Sequence, residues 1–197
     1  MRAIVDRLAL LVGLGVVIAV AAFHLWITPP NPPGSHQDEA ALSLNAYTLS
    51  TGLRDESGAR LPLFFRSYDD YKSPLYPYLL AGVFTITGPD AQVARGLAAV
   101  LVLAAVLLLG VLARRLTGSG VVGVVVVVAT GLTPWLFELG RMAIEASTQP
   151  LLAVLLLLVL ERASRHERWN VAHGLLAGLL LALVTYSYTA VAFSARS

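Results

Sequence analysis

The chain has 197 residues, of which 57% are hydrophobic and only 13% charged. A soluble domain carries about 25% charged residues. This chain lacks the polar surface to cover itself in water, so an integral membrane protein is expected. The absence of cysteine excludes disulfides, thiol nucleophiles and thiolate metal sites. A net charge of +2 without a basic cluster excludes nucleic acid as a partner.

Leu8 to Ile27 carries no formal charge and is interrupted only by His24. A helix needs about 20 apolar residues to cross a bilayer. Arg2 and Arg7 precede the run, and Ala19-Val20-Ala21 resembles a small-x-small cleavage site, so a secretory signal is the competing reading. The further spans downstream favour an uncleaved first helix. Pro29, Pro30, Pro32 and Pro33 then stop the helix, because proline has no amide hydrogen and a fixed φ.

Residues 28–95 form the one long polar stretch. It opens with Gly34-Ser35-His36-Gln37-Asp38-Glu39-Ala40. Ser35-x-x-Asp38 before an apolar run matches a capping box, with Ser35 as N-cap. Ala40 to Thr51 reads as a short helix with Ala41, Leu44 and Thr48 on one side, closed by Gly52. Asp55-Glu56-Ser57-Gly58 reads as a turn. Leu75 to Ile86 is too short to span comfortably. With Tyr68, Tyr71, Tyr76 and Tyr78 in or beside it, it suits the membrane surface, where aromatic rings with a polar end collect.

Further apolar runs follow at 96–113, 120–137, 142–160 and 171–193. The run Val124 to Val128 would suggest a strand in water, but an isolated strand in lipid leaves its backbone unpaired, so helix is expected. A break is expected at Thr133-Pro134-Trp135. The fold class is therefore an all-α membrane protein of about five spans, with a long first loop holding short interfacial helices. Arg2, Arg7, Arg114, Arg115, Arg162, Arg165 and Arg168 fall in three short segments on one side, which places that side inward and the long loop outward. A multi-pass protein of a bacterial plasma membrane is the expectation. The end of the chain just after the last span suggests the N-terminal piece of a longer protein, inactive alone.

Successive helix residues point about 100° apart. Asp38 and Glu39 cannot both face one substrate atom, and Asp38 is the expected catalytic base with Glu39 in support. Arg141 and Glu145, four apart, would share a helix face as an ion pair or as substrate contacts. Lys72 reads either as a snorkelling lysine beside the aromatic belt or as the cation for a phosphate leaving group. His36 and Asp38 offer donors to a divalent metal, but their spacing matches no metal signature. His24 and His173 receive no role.

The ordered set resembles the GT-C superfamily of membrane glycosyltransferases, in the branch of protein O-mannosyltransferases and the lipid A aminoarabinose transferase. It comprises one span, His36-Gln37-Asp38-Glu39-Ala40, Thr51 to Gly58, Leu61-Pro62-Leu63-Phe64-Phe65, Tyr71-Lys72-Ser73-Pro74-Leu75-Tyr76-Pro77-Tyr78, Arg95, Thr133-Pro134-Trp135 and Arg141-Met142-Ala143-Ile144-Glu145. The resemblance implies an inverting transferase with a polyprenyl-phosphate-linked, mannose-like sugar donor and a protein, glycan or lipid acceptor hydroxyl. Catalysis would fall to Asp38 and Glu39, and substrate binding to Lys72, Tyr76, Arg141 and Glu145. Some members use a divalent metal and others do not. The alternative is a non-catalytic multispan protein, a transporter fragment or assembly scaffold. A transporter holds its acids or broken helices at mid-bilayer, whereas the acids here cluster at outer ends.

Overall fold

The computed structural model describes residues 2–27, 34–67, 70–165 and 170–187. The proline run 29–33, Tyr68 and residues 188–193 of the expected last span lie outside them.

The protein is an all-α membrane protein. Helices α1 (Arg2–Ile27) and α2 (Gln37–Gly52) are followed by a short hairpin of β1 (Phe65–Ser67) and β2 (Asp70–Lys72). The two strands pair antiparallel with Phe65 opposite Lys72. Then come α3 (Leu75–Thr87), α4 (Ala91–Thr117), α5 (Gly120–Gly131), α6 (Pro134–Arg141), a 3-10 turn (Glu145–Thr148), α7 (Gln149–Ser164) and α8 (Val171–Tyr186). By length and composition, Ala91–Thr117 and Glu145–Ser164 can each cross a membrane, and α5 with α6 makes a third span bent by 63°. The described parts of α1 and α8 are shorter apolar helices.

Local chemistry sets the ends. The Asp90 carboxylate accepts from the Gln92 and Val93 amides at 2.7 and 3.0 Å and starts α4. Gly118, at φ +71°, ends it. The valine-rich α5 is helical, because a span must satisfy its backbone internally. Pro134 sits at the first turn of α6, where its missing amide is tolerated.

Helix α4 is the centre of the bundle and packs against α1, α5, α6 and α7. Its small residues permit the approach. A Cβ on Gly110 would lie 2.3 Å from Val127 Cγ2 and 2.9 Å from the Gly123 carbonyl oxygen. One apolar cluster lies under the polar loop and joins Leu42, Ala46 and Leu49 of α2 to Tyr76, Leu80 and Phe84 of α3 and Ala94 and Ala98 of α4. A second joins Val20, Leu103, Val106 and Val127 deeper in the bundle. The two ends of the bundle differ in chemistry. At one, Arg165 donates to the Arg115 carbonyl at 2.7 Å and Arg115 lies 3.7 Å from Glu161. At the other, the polar loop meets the start of α4 and the segment between α6 and α7.

Three local expectations are corrected. The helix after the first loop begins at Gln37, with His36 rather than Ser35 as its N-cap. Its inward side is Ala41, Leu42, Asn45, Ala46 and Leu49, while Leu44 is exposed, because the partner that decides the buried face is α3, which lies elsewhere in the sequence. The left-handed closing residue is Leu53, at φ +53°, rather than Gly52. Leucine is strained there, but the Leu53 amide donates to Leu49 and its carbonyl accepts from Leu61, each at 3.0 Å, which holds the turn.

Candidate active site

Adjacent residues Asp38 and Glu39 have opposite environments. Glu39 is buried, at 3% exposure. Its Oε1 accepts from Arg95 Nε and from the Ala143 amide, both at 2.9 Å. Its Oε2 accepts from Arg95 Nη2 and from the His36 amide, also at 2.9 Å. Arg95 Nη2 further donates to the Gly34 carbonyl. One carboxylate thus ties the start of α2 to α4 and to the strand-like segment after α6. Burial pushes the Glu39 pKa up, but the hydrogen bonds from Arg95, Ala143 and His36 outweigh it and hold the carboxyl below its ordinary 4.5.

That direction has a sign. A carboxylate whose folded pKa is lowered stabilises the fold fully above its unfolded value. The contribution is lost as pH falls from 4.5 through the folded value. Acid unfolding in detergent should therefore be steeper below 4.5 in the parent than in Glu39→Gln, which cannot titrate there. Parallel acid profiles would show that Glu39 does not carry this dependence.

The capping box is real but displaced by one residue. His36 Nδ1 accepts from the Asp38 amide at 3.3 Å, and Glu39 returns to the His36 amide. The longer Glu side chain can reach both the cap amide and Arg95. Asp38 is thereby released from the capping duty expected of it.

Asp38 is 41% exposed and turns the other way. Its Oδ1 lies 2.9 Å from Lys72 Nζ, and Lys72 itself is only 13% exposed. Lys72 ends β2, and the next residue, Ser73, donates its amide to Glu145 Oε2 at 2.7 Å. Glu145 therefore braces the turn that presents Lys72. His36 Nδ1 is 3.8 Å from Asp38 Oδ2. As a metal site this set falls short: His36 Nδ1 serves the cap, Lys72 holds Asp38, and among the described residues no three His, Cys, Asp or Glu come together to hold an ion.

Two further expectations are corrected. Arg141 and Glu145 do not share a helix face, because α6 ends at Arg141 and the chain runs extended through Met142 before the 3-10 turn. The Ala143 amide is drawn to Glu39 instead of into a helix. Arg141 pairs with Glu138 at 2.8 Å and lies over the Phe137 ring at 5.8 Å. Tyr76, expected at the substrate, is fully buried, and its hydroxyl donates to the Ala94 carbonyl at 2.7 Å. It fastens α3 to α4. Sequence reasoning noted Arg95 without pairing it. The available signal was an ionisable residue at the start of a span, which needs a partner.

The family model for dolichyl-phosphate-mannose-protein mannosyltransferase matches residues 71–195. No curated protein and no solved structure matches the chain. The matched region includes Lys72, Arg95, Ala143 and Glu145. Asp38 and Glu39 precede it and join it through the contacts above.

Proposed function

Since the chain belongs to the dolichyl-phosphate-mannose-protein mannosyltransferase family, and is in general terms a membrane glycosyltransferase, we propose that it transfers a mannose-like sugar from a polyprenyl-phosphate donor to an acceptor hydroxyl at the outer face of the membrane, with inversion. The acceptor is defined by its chemistry alone: a hydroxyl on a protein, glycan or lipid that reaches the start of α2. Asp38 takes the hydroxyl proton as the oxygen attacks the anomeric carbon. The bond from that carbon to the phosphate oxygen breaks, and polyprenyl phosphate leaves with the electron pair. Lys72, whose Nζ lies 2.9 Å from Asp38 Oδ1, is the proposed cation for the leaving phosphate. Arg141, at the end of α6, is the second proposed cation. Glu145 acts by bracing Ser73, and Tyr76 by fixing α3 from inside.

The observation that carries this reading is the contrast between neighbours. Glu39 is immobilised by four donors, while Asp38, one residue away, is half-open and faces a lysine. A rigid support beside an accessible carboxylate is what proton abstraction from a positioned hydroxyl requires.

The test uses membranes containing the full-length protein. Polyprenyl-phosphate mannose should give transfer to an acceptor hydroxyl, release of polyprenyl phosphate and an inverted anomeric configuration. A nucleotide sugar in its place should give none. Retained configuration, or transfer from the nucleotide sugar alone, would end the proposal.

A further inference from the structure

His24 lies on α1 and is fully buried. Its Nε2 is 2.7 Å from the Gly131 carbonyl oxygen. A carbonyl only accepts, so Nε2 carries the proton of that bond. Nδ1 has no hydrogen-bond partner among the described residues.

Gly131 ends α5 at the break in the third span. Pro134 has no amide, so the hydrogen-bond ladder cannot continue there. The released carbonyls are taken in order. The Leu132 amide makes the last regular bond of α5, to Val128 at 3.0 Å; beyond it the Thr133 hydroxyl donates to Ala129 at 2.7 Å and the Thr133 amide to Thr130 at 3.1 Å. The next carbonyl, Gly131, is taken by His24 from another helix. Broken helices persist in membranes where neighbouring helices re-satisfy the freed groups.

The packing serves the same bond. A Cβ on Gly131 would lie 2.5 Å from Val20 Cγ1, so bare backbone is needed for α1 to come this close. On the far arm, the His24 ring meets Phe137 edge-on, with centroids 6.0 Å apart at 72°. A Cβ on Gly140 would sit 3.5 Å from His24 Nδ1. One side chain thus touches both arms of the 63° bend. The second arm ends at Arg141, and Met142 and Ala143 follow, the Ala143 amide holding Glu39.

We propose that His24 is a positioning residue: it caps the broken span from α1 and fixes the angle at which α6 delivers the Ala143 amide to Glu39, and so the aim of α2 and Asp38. The catalytic consequence rests on the reaction proposed above, whereas the mechanical one does not. Two readouts separate them in the full-length protein. Hydrogen exchange of the peptide containing Ala143 reports the Glu39 contact without any activity. Turnover per folded molecule reports the reaction.

His24→Phe keeps an aromatic ring but no donor, and His24→Gln keeps a donor. In His24→Phe the Ala143 amide should lose protection and turnover should fall about tenfold or more, since small misplacements at a reacting centre are expensive. His24→Gln should recover most of both, which a role in filling space alone would not produce. If His24→Phe fails to accumulate, His24→Met against His24→Gln gives the same contrast. Protection and turnover unchanged in the donorless variant would overturn the inference. Lost protection with no sugar transfer by the unsubstituted protein supports the mechanical claim and removes the reaction it was meant to serve.

Discussion

Asp38→Asn should reduce sugar transfer by about 10²- to 10⁴-fold, the range for loss of a positioned general base. The amount of protein in the membrane should stay at the parental level. Asparagine has the shape of aspartate and still offers an oxygen to Lys72, which lies 2.9 Å away. It cannot take a proton from a hydroxyl. Asp38 is 41% exposed and belongs to neither apolar cluster, so the change in stability should stay within about 0.5 kcal/mol. Asp38→Glu sharpens the test: it keeps the carboxylate but displaces it, and intermediate transfer is expected. Transfer assayed with a polyprenyl-phosphate donor, alongside immunodetection of the inserted protein, decides the matter. Parental transfer by Asp38→Asn would remove Asp38 as the base, and a fall matched by loss of protein would make it structural instead.

That the apolar runs form helices was legible because lipid leaves a long apolar run one option. Val124 to Val128 shows this best: a strand-like composition forms α5 because helical bonding is internal to the segment. The break near Pro134 was legible for an equally local reason, the missing amide. That Asp38 and Glu39 face different surroundings followed from the angular step between helix residues. What could not be read locally was which carboxylate performs which structural task. Glu39 takes the cap because Arg95 draws it inward, and Arg95 lies 56 positions downstream. The same contact explains Arg141 and Glu145. The local sequence favours a continuous helix there, but the Ala143 amide answers a carboxylate from α2 rather than a carbonyl of its own turn. Tyr76 has the same cause. Among tyrosines in one apolar segment, only the packing of α2 and α4 singles out the buried one.

Arg95→Leu should be the most destructive single change at the site. Removing one partner of a buried, hydrogen-bonded pair costs about 3–5 kcal/mol, because the charge left behind has neither water nor counter-ion. Arg95 and Glu39 are 6% and 3% exposed, so both meet that condition. Replacing both partners with apolar residues is often neutral elsewhere. Here it should not be, because Glu39 also accepts the His36 and Ala143 amides. An Arg95→Leu/Glu39→Leu chain would orphan two backbone donors, each costing about 1–3 kcal/mol when buried. Arg95→Lys keeps the charge but loses the forked contact that serves both Glu39 oxygens, so a smaller loss is expected. The expected order of thermal stability in detergent is parent, Arg95→Lys, then Arg95→Leu, with the double variant well below the parent. Sugar transfer should fall in Arg95→Lys even where the protein stays folded, because α2 loses the anchor that aims an intact Asp38. A stable Arg95→Leu protein with full transfer would mean that the clamp positions nothing, and that Asp38 finds its place from the helix cap alone.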